Sequence, residues 1–115
     1  MWLVEAGAKR LLCDPLLGES HHCGVFEVVP RRTVDVEALR PDVILISHRH
    51  ADHFDIPSLR TLARAYPDAT IVTPDDFVAW ACRELGFSTT SIVEKPSSRQ
   101  AYATRSSGVT MVASG

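Results

Sequence analysis

The stretch Asp42-Val43-Ile44-Leu45-Ile46-Ser47-His48-Arg49-His50-Ala51-Asp52-His53 decides how this chain is read. Its first half is a continuous run of β-branched residues and leucine. Continuous rather than alternating hydrophobicity suits a central strand covered on both faces of its sheet. The second half begins where that strand must stop. Three of the chain's five histidines fall inside it, interleaved with an aspartate.

Neutral imidazole and carboxylate are good ligands for zinc and related divalent ions, which need about three or four donors. His48 and His50 are two positions apart, so an extended segment would put both rings on one side, where they can share a metal. Asp52 keeps that parity and His53 does not. A bend after Ala51 would send Asp52 and His53 to a second metal nearby. Two ions about 3.5–4 Å apart can bridge a hydroxide and polarise a carbonyl or phosphoryl oxygen. A bound water whose pKa falls toward about 7 then supplies the nucleophile. The ordinary alternative is a polar loop with chance histidines that cap or hydrogen bond, and the spacing at a strand end weighs against it. Ser47 is expected to hydrogen bond locally rather than act as a nucleophile, because no separate base is evident for it.

Upstream, Trp2-Leu3-Val4 and Arg10-Leu11-Leu12-Cys13 are short apolar segments joined by Glu5-Ala6-Gly7-Ala8-Lys9. They predict a β-hairpin, with Gly7 supplying the turn freedom. Asp14-Pro15 closes the second strand, since proline cannot donate to a ladder. Residues 16–33 lack clear periodicity and carry Gly18, Gly24, Pro30, His21-His22 and Arg31-Arg32. They predict a long surface loop with room for a short strand over residues 25–29, and loops of this length are often functional. Residues 34–39 allow a helical turn ahead of Pro41.

Downstream, Pro57, Leu59, Leu62 and Ala63 have helical spacing as far as Tyr66-Pro67. Thr70-Ile71-Val72 predicts a buried strand. Thr73-Pro74-Asp75-Asp76 reads as a helix start, with the Thr73 hydroxyl as cap, Pro74 in the first position and two acids near the positive end. That helix runs through Phe77, Trp80, Ala81 and Leu85 and ends at Gly86. Phe77 and Trp80 are expected in the core rather than as a ligand platform. Ser91-Ile92-Val93 predicts a strand, residues 95–107 a loose polar segment and residues 109–112 a last strand. Strands alternating with helices imply an α/β layer with parallel neighbours.

The length suits one domain, and a net charge of −2 without a Lys/Arg cluster gives no reason to expect nucleic acid as a partner. Cys13, Cys23 and Cys82 are odd in number and unrelated in spacing, so they are expected to be reduced, small buried side chains. Only Cys23, beside His21 and His22, is considered as a stray ligand. The opening reaches a charge at Glu5, too early for a signal-peptide core. Apolar runs fall far short of the ~20 residues a membrane span needs. A cytoplasmic location is expected.

The run Ser47 to His53 resembles the SHxHxDH signature of the metallo-β-lactamase superfamily. Leu12-Cys13-Asp14-Pro15-Leu16-Leu17 resembles the family's first motif, an aspartate closing an early strand, and Phe54-Asp55 before a helix is similar too. The "DPLL" start and the "SHxHxDHFD" run look most like the branch that includes ascorbate-6-phosphate lactonase and N-acyl-phosphatidylethanolamine phospholipase D. The resemblance implies half of an αββα sandwich, a mixed sheet with helices on one face. It implies that His48 and His50 bind a first metal and that Asp52 and His53 bind a second. Asp52 would also orient or deprotonate the attacking water. Asp14 would steady the histidine loop from behind, its plain alternative being a turn residue. The implied cofactor is zinc, two ions in a complete site, with iron or manganese suited to the same donors. The implied reaction is attack of metal-bound hydroxide on a small-molecule ester, lactone, amide or phosphodiester.

The chain departs from the family in one respect. Complete members carry a second, similar half, with a third histidine, a bridging aspartate and a last histidine downstream of this motif. Here no His, Asp or Glu follows Glu94. Residues 1–115 are therefore expected to form a partial domain, truncated at the carboxy-terminal end. Alternatively, the chain pairs with a separate complementary half, or it self-associates with His21 or His22 replacing a missing ligand. The plain reading of His21-His22 is a solvated loop pair. Arg31-Arg32 suits an anionic substrate or, more simply, a solvated loop. Two other functions stay open: a di-iron oxidoreductase on the same scaffold, and a catalytically incomplete half-domain that acts only with a partner.

Overall fold

The computed structural model describes residues 1–18, 20–21, 26–27 and 33–94. The expected strand over residues 109–112, the segment 95–107, His22, Cys23 and Arg31-Arg32 lie outside them, as does the side chain of His21.

The hairpin forms as expected. Strands β1 (Trp2–Ala6) and β2 (Lys9–Cys13) pair antiparallel, with Ala6 opposite Lys9. That leaves a turn of two residues, and Gly7 takes the left-handed φ of 61° that such tight hairpins demand. Ser20–His21 (β3) and Phe26–Glu27 (β4) form a minimal antiparallel pair. A helical turn, α1 (Val36–Leu39), follows and leads into β5 (Val43–Leu45). Helix α2 (Ile56–Ala65), strand β6 (Thr70–Thr73), helix α3 (Asp76–Leu85) and strand β7 (Thr89–Ile92) complete the described chain.

The main sheet has the order β1-β2-β5-β6-β7, and every pairing except the hairpin is parallel. Its register aligns Leu12 with Ile44 and Ile44 with Ile71 across the three central strands. These three side chains are fully buried. They form one core with Leu59, Leu62 and Ala63 of α2 and Val78, Ala81 and Cys82 of α3. Both long helices therefore cover one face of the sheet. Tyr66, capping α2, donates its hydroxyl to the Val36 carbonyl at 2.7 Å and holds α1 alongside.

Residues alternating with that buried row point to the opposite face. Leu11, Cys13, Val43, Leu45 and Val72 are only half-buried there, and Trp2 and Val4 are exposed. On β5 itself Ile44 is fully buried on the helix side, and Val43 and Leu45 are half-buried on the other. The continuous apolar run thus serves two faces, one fully buried against the helices and one half-buried. A mixed sheet with helices on one face is the α/β half-sandwich expected.

Two local expectations are also corrected. Asp75, not Thr73, caps α3. Its carboxylate accepts from the amides of Phe77 (2.9 Å) and Val78 (3.3 Å), while Thr73 is still in β6, fully buried and paired with Ile92. Pro74 accordingly precedes the cap instead of opening the helix. Phe77 and Trp80 are not core residues, being 45% and 52% exposed. The stripe of α3 that meets the sheet is Val78, Ala79, Ala81 and Cys82, small enough for close approach, and the two aromatics flank it.

Candidate metal centre

The three central strands end together, and the residues that follow each of them build the site. After β2 comes Asp14, after β5 the loop Ser47 to His53, and after β6 the cap Asp75. Open α/β sheets concentrate ligand sites at this carboxyl end of their strands.

Asp14 holds a left-handed φ of 47°, rare for a residue with a side chain. Its amide still donates to the Leu45 carbonyl (2.7 Å), extending the β2–β5 ladder while its side chain turns across the end of β5. Next along the chain Pro15 and Leu16 are buried, and the Leu17 amide donates to Ser58 Oγ on α2 (2.9 Å). The bend is thereby anchored on both sides.

The Asp14 carboxylate then takes three hydrogen bonds. Oδ1 accepts from the Ser47 amide (2.7 Å), and Oδ2 accepts from Ser47 Oγ (2.9 Å) and from His53 Nδ1 (2.9 Å). Ser47 Oγ also lies 2.8 Å from His48 Nδ1. The proton assignments follow from donor counting. A carboxylate only accepts, so His53 Nδ1 carries a proton. The single Ser47 hydroxyl proton is spent on Asp14, so His48 Nδ1 must donate to Ser47. Each ring's Nε2 is the nitrogen left to face a ligand.

A turn brings the end of the motif back. The amides of His53 (2.9 Å) and Phe54 (2.8 Å) both donate to the His50 carbonyl. Asp55 then caps α2, accepting from the Ser58 amide at 3.1 Å. This turn stacks His53 against His48, ring centroids 4.0 Å apart, and sets His53 Nε2 3.1 Å from Asp52 Oδ2. His48, Asp52 and His53 each offer one donor atom within a 4.8 Å span. His50 does not join that group. Its ring meets His48 edge-on with centroids 4.8 Å apart, and it is exposed.

The donor set fits a divalent cation. With Nδ1 committed to Asp14, His53 Nε2 and Asp52 Oδ2 would face each other as two lone-pair atoms. Such a contact needs a positive centre, either a second imidazole proton or a cation. Two ligands held at about 2.0–2.1 Å in tetrahedral geometry sit about 3.3–3.4 Å apart, close to the observed separation. Two nitrogens and one carboxylate oxygen also make up a common protein ligand count for a metal that retains an open position.

Beside this group lies a feature the sequence reading missed. Arg49 reaches away from the histidines and forks onto Asp75, Nε to Oδ2 at 2.7 Å and Nη2 to Oδ1 at 2.8 Å. Its guanidinium lies 5.0 Å from the centroid of the Phe77 ring, which contacts Phe54 and Trp80 at centroid distances of 6.4 and 5.8 Å. The partners are 26 positions apart. The only sequence signal was the arginine's place inside the histidine motif.

A mixed sheet with helices on one face carries histidines and an aspartate at its strand ends, a donor set of the kind that holds a divalent cation. The beta-lactamase superfamily domain matches residues 9–113, and the chain belongs to the metallo-β-lactamase superfamily. A Mycolicibacterium smegmatis protein bearing the name of a Rieske 2Fe-2S iron-sulfur protein is 34% identical over 85 residues, covering 73% of this chain and 16% of that protein. Cytidine monophosphate-N-acetylneuraminic acid hydroxylase of Sus scrofa is 33% identical over 93 residues, covering 77% of this chain and 21% of the hydroxylase. The crystal structure of an isothiocyanate hydrolase from Delia radicum gut bacteria superposes with a TM-score of 0.62 at 23% identity, covering 81% of this chain and 38% of that one. The chain thus spans about a fifth or less of the length of these curated relatives. No helix among the described residues is long and apolar enough to cross a membrane.

Proposed function

We propose that this chain supplies the amino-terminal part of a metal-dependent hydrolase centre, in which His48, His50, Asp52 and His53 are the ligands. The observation that carries this reading is the convergence of His48, Asp52 and His53 with both Nε2 atoms turned outward by Asp14. His50 stands beside this group as the fourth donor. A divalent cation there would supply Lewis-acid polarisation of a substrate oxygen and a water acidic enough to react near neutral pH. Asp52, about half exposed, is the group expected to orient that water and take its proton. Asp14 keeps the two imidazoles in the tautomers that leave Nε2 available. Zinc is the expected metal, and an ester, lactone, amide or phosphodiester the expected substrate class. The lactonase and phospholipase branch rests on the "DPLL" and "SHxHxDHFD" motifs alone.

Two other readings each have an observation in their favour. The names of the curated relatives, a Rieske iron-sulfur protein and a hydroxylase, favour an iron-dependent oxidoreductase on the same scaffold. The half-buried apolar row Leu11, Cys13, Val43, Leu45 and Val72 on the second sheet face, with Trp2 and Val4 exposed beside it, favours a half-domain completed by a partner half or a second copy. Metal analysis of the purified chain, a visible absorption spectrum and a panel of generic ester, lactone and phosphodiester substrates separate the three. Colourless zinc protein with turnover supports the hydrolase. Visible iron absorption supports the oxidoreductase. Less than one metal per chain with no turnover supports the incomplete half. A cytoplasmic location remains part of the proposal and is checked by fractionation.

A further inference from the structure

The histidine loop hangs from the end of β5 and is tied sideways on one flank by Asp14, at the end of β2. On its other flank the tie is the Arg49 fork onto Asp75, at the end of β6. An ordinary exposed ion pair contributes little, because two long side chains must be ordered in a high-dielectric medium. This one differs in three ways. Both bonds are short and parallel, the geometry in which Arg is most rigid. The carboxylate is only 15% exposed and already immobilised as the α3 cap. The guanidinium, on a side chain still 56% exposed, lies over the Phe77 ring at 5.0 Å, a cation–π contact that favours this one orientation. Arg49 also sits between two of the expected ligands in sequence, so fixing its side chain fixes the backbone that carries His48 and His50.

We propose that Arg49 and Asp75 form a positioning clamp that holds the histidine loop in its ligand-gathering shape, so that Arg49 sets metal affinity without touching the metal. This rests on the metal-centre reading above. The Arg49 side chain bonds to Asp75 and lies over Phe77, and the clamp acts on the ligands through the loop backbone.

The test is a titration of the full chain with Co2+, followed by visible absorption, for wild type, Asp75→Asn, Arg49→Gln and the double variant. Asparagine caps a helix about as well as aspartate, so Asp75→Asn removes the fork and leaves α3 capped. Each single variant should weaken Co2+ binding by about 10-fold, within the range seen for residues that orient metal ligands. The double variant should lose no more than either single one, and all should unfold within a few degrees of wild type. The absorption band of the bound ion should change shape in the variants, which a purely stabilising ion pair would not cause. Wild-type affinity and an unchanged band in both single variants would overturn the clamp alone, as would strictly additive losses. A wild-type chain that takes up no Co2+ would overturn the metal reading and the clamp with it.

Discussion

Nδ1 of His53 donates to the Asp14 carboxylate across 2.9 Å, joining the end of β2 to the turn that follows β5. Through Ser47 the same carboxylate also reaches His48. One acid therefore decides which nitrogen of two imidazoles is free.

Asp14→Asn tests that arrangement. Asparagine tolerates the left-handed backbone but cannot accept from Ser47 and His53 with the same side-chain end that must now donate. Zinc affinity measured by calorimetry should fall by about 10–100-fold, with secondary structure by circular dichroism retained. Unchanged affinity would make Asp14 a turn residue only.

Ser47→Ala removes the link to His48 and leaves His53 on Asp14. A net hydrogen bond contributes about 0.5–1.5 kcal/mol, so the affinity loss should be roughly 2–10-fold and smaller than that of Asp14→Asn. A larger loss than Asp14→Asn in the same calorimetric series would contradict the relay.

Much of this architecture was legible beforehand. The hairpin, the order of strands and helices, Gly86 as the left-handed end of α3 (φ 118°) and the histidine motif all follow from local pattern. What local pattern does not contain is pairing at long range. Asp14 reads as a strand-closing acid, but its bonds run to residues 33 and 39 positions away. Asp75 reads as one of two acids near a helix start, and nothing nearby announces Arg49. Phe77 and Trp80 looked like core because aromatics usually are, whereas the close sheet–helix approach admits Ala79 and Ala81 instead. The run at β5 could not say whether its second face is covered, since that depends on what lies beyond the sheet.

The clamp has a pH signature. Hydrogen bonds from Arg49 hold the Asp75 carboxyl below the usual carboxylate range, opposed by its burial and aided by the Val78 and Phe77 amides. A lowered folded-state pKa stabilises the fold above the ordinary aspartate value of about 3.9, and that contribution is lost as pH falls through the folded value. In urea unfolding, Asp75→Asn should be less stable than wild type at neutral pH, and the gap should close below about pH 4. A gap of constant size into strong acid would contradict it. Asp75→Ala, which also removes the cap, should cost about 1 kcal/mol more than Asp75→Asn at neutral pH.

Cys82 reports on the core. Full burial between α3 and the sheet pushes its thiol up to about 12, so the thiolate is scarce at ordinary pH. Alkylation followed by peptide mass analysis should leave Cys82 unmodified in the folded chain near neutral pH and modify it once urea unfolds the protein. Rapid labelling without denaturant would mean the helix layer does not pack as described.

The central claim is that His48, Asp52 and His53 jointly hold a divalent ion. Zinc calorimetry on the wild-type chain and on His48→Ala, Asp52→Asn and His53→Ala addresses it directly. The account predicts saturable binding to the wild type, a rise in its unfolding temperature with zinc, and a loss for each variant beyond the roughly 100-fold ceiling of ligand-orienting residues. Binding that survives all three substitutions unchanged, or no binding by the wild type, would contradict it.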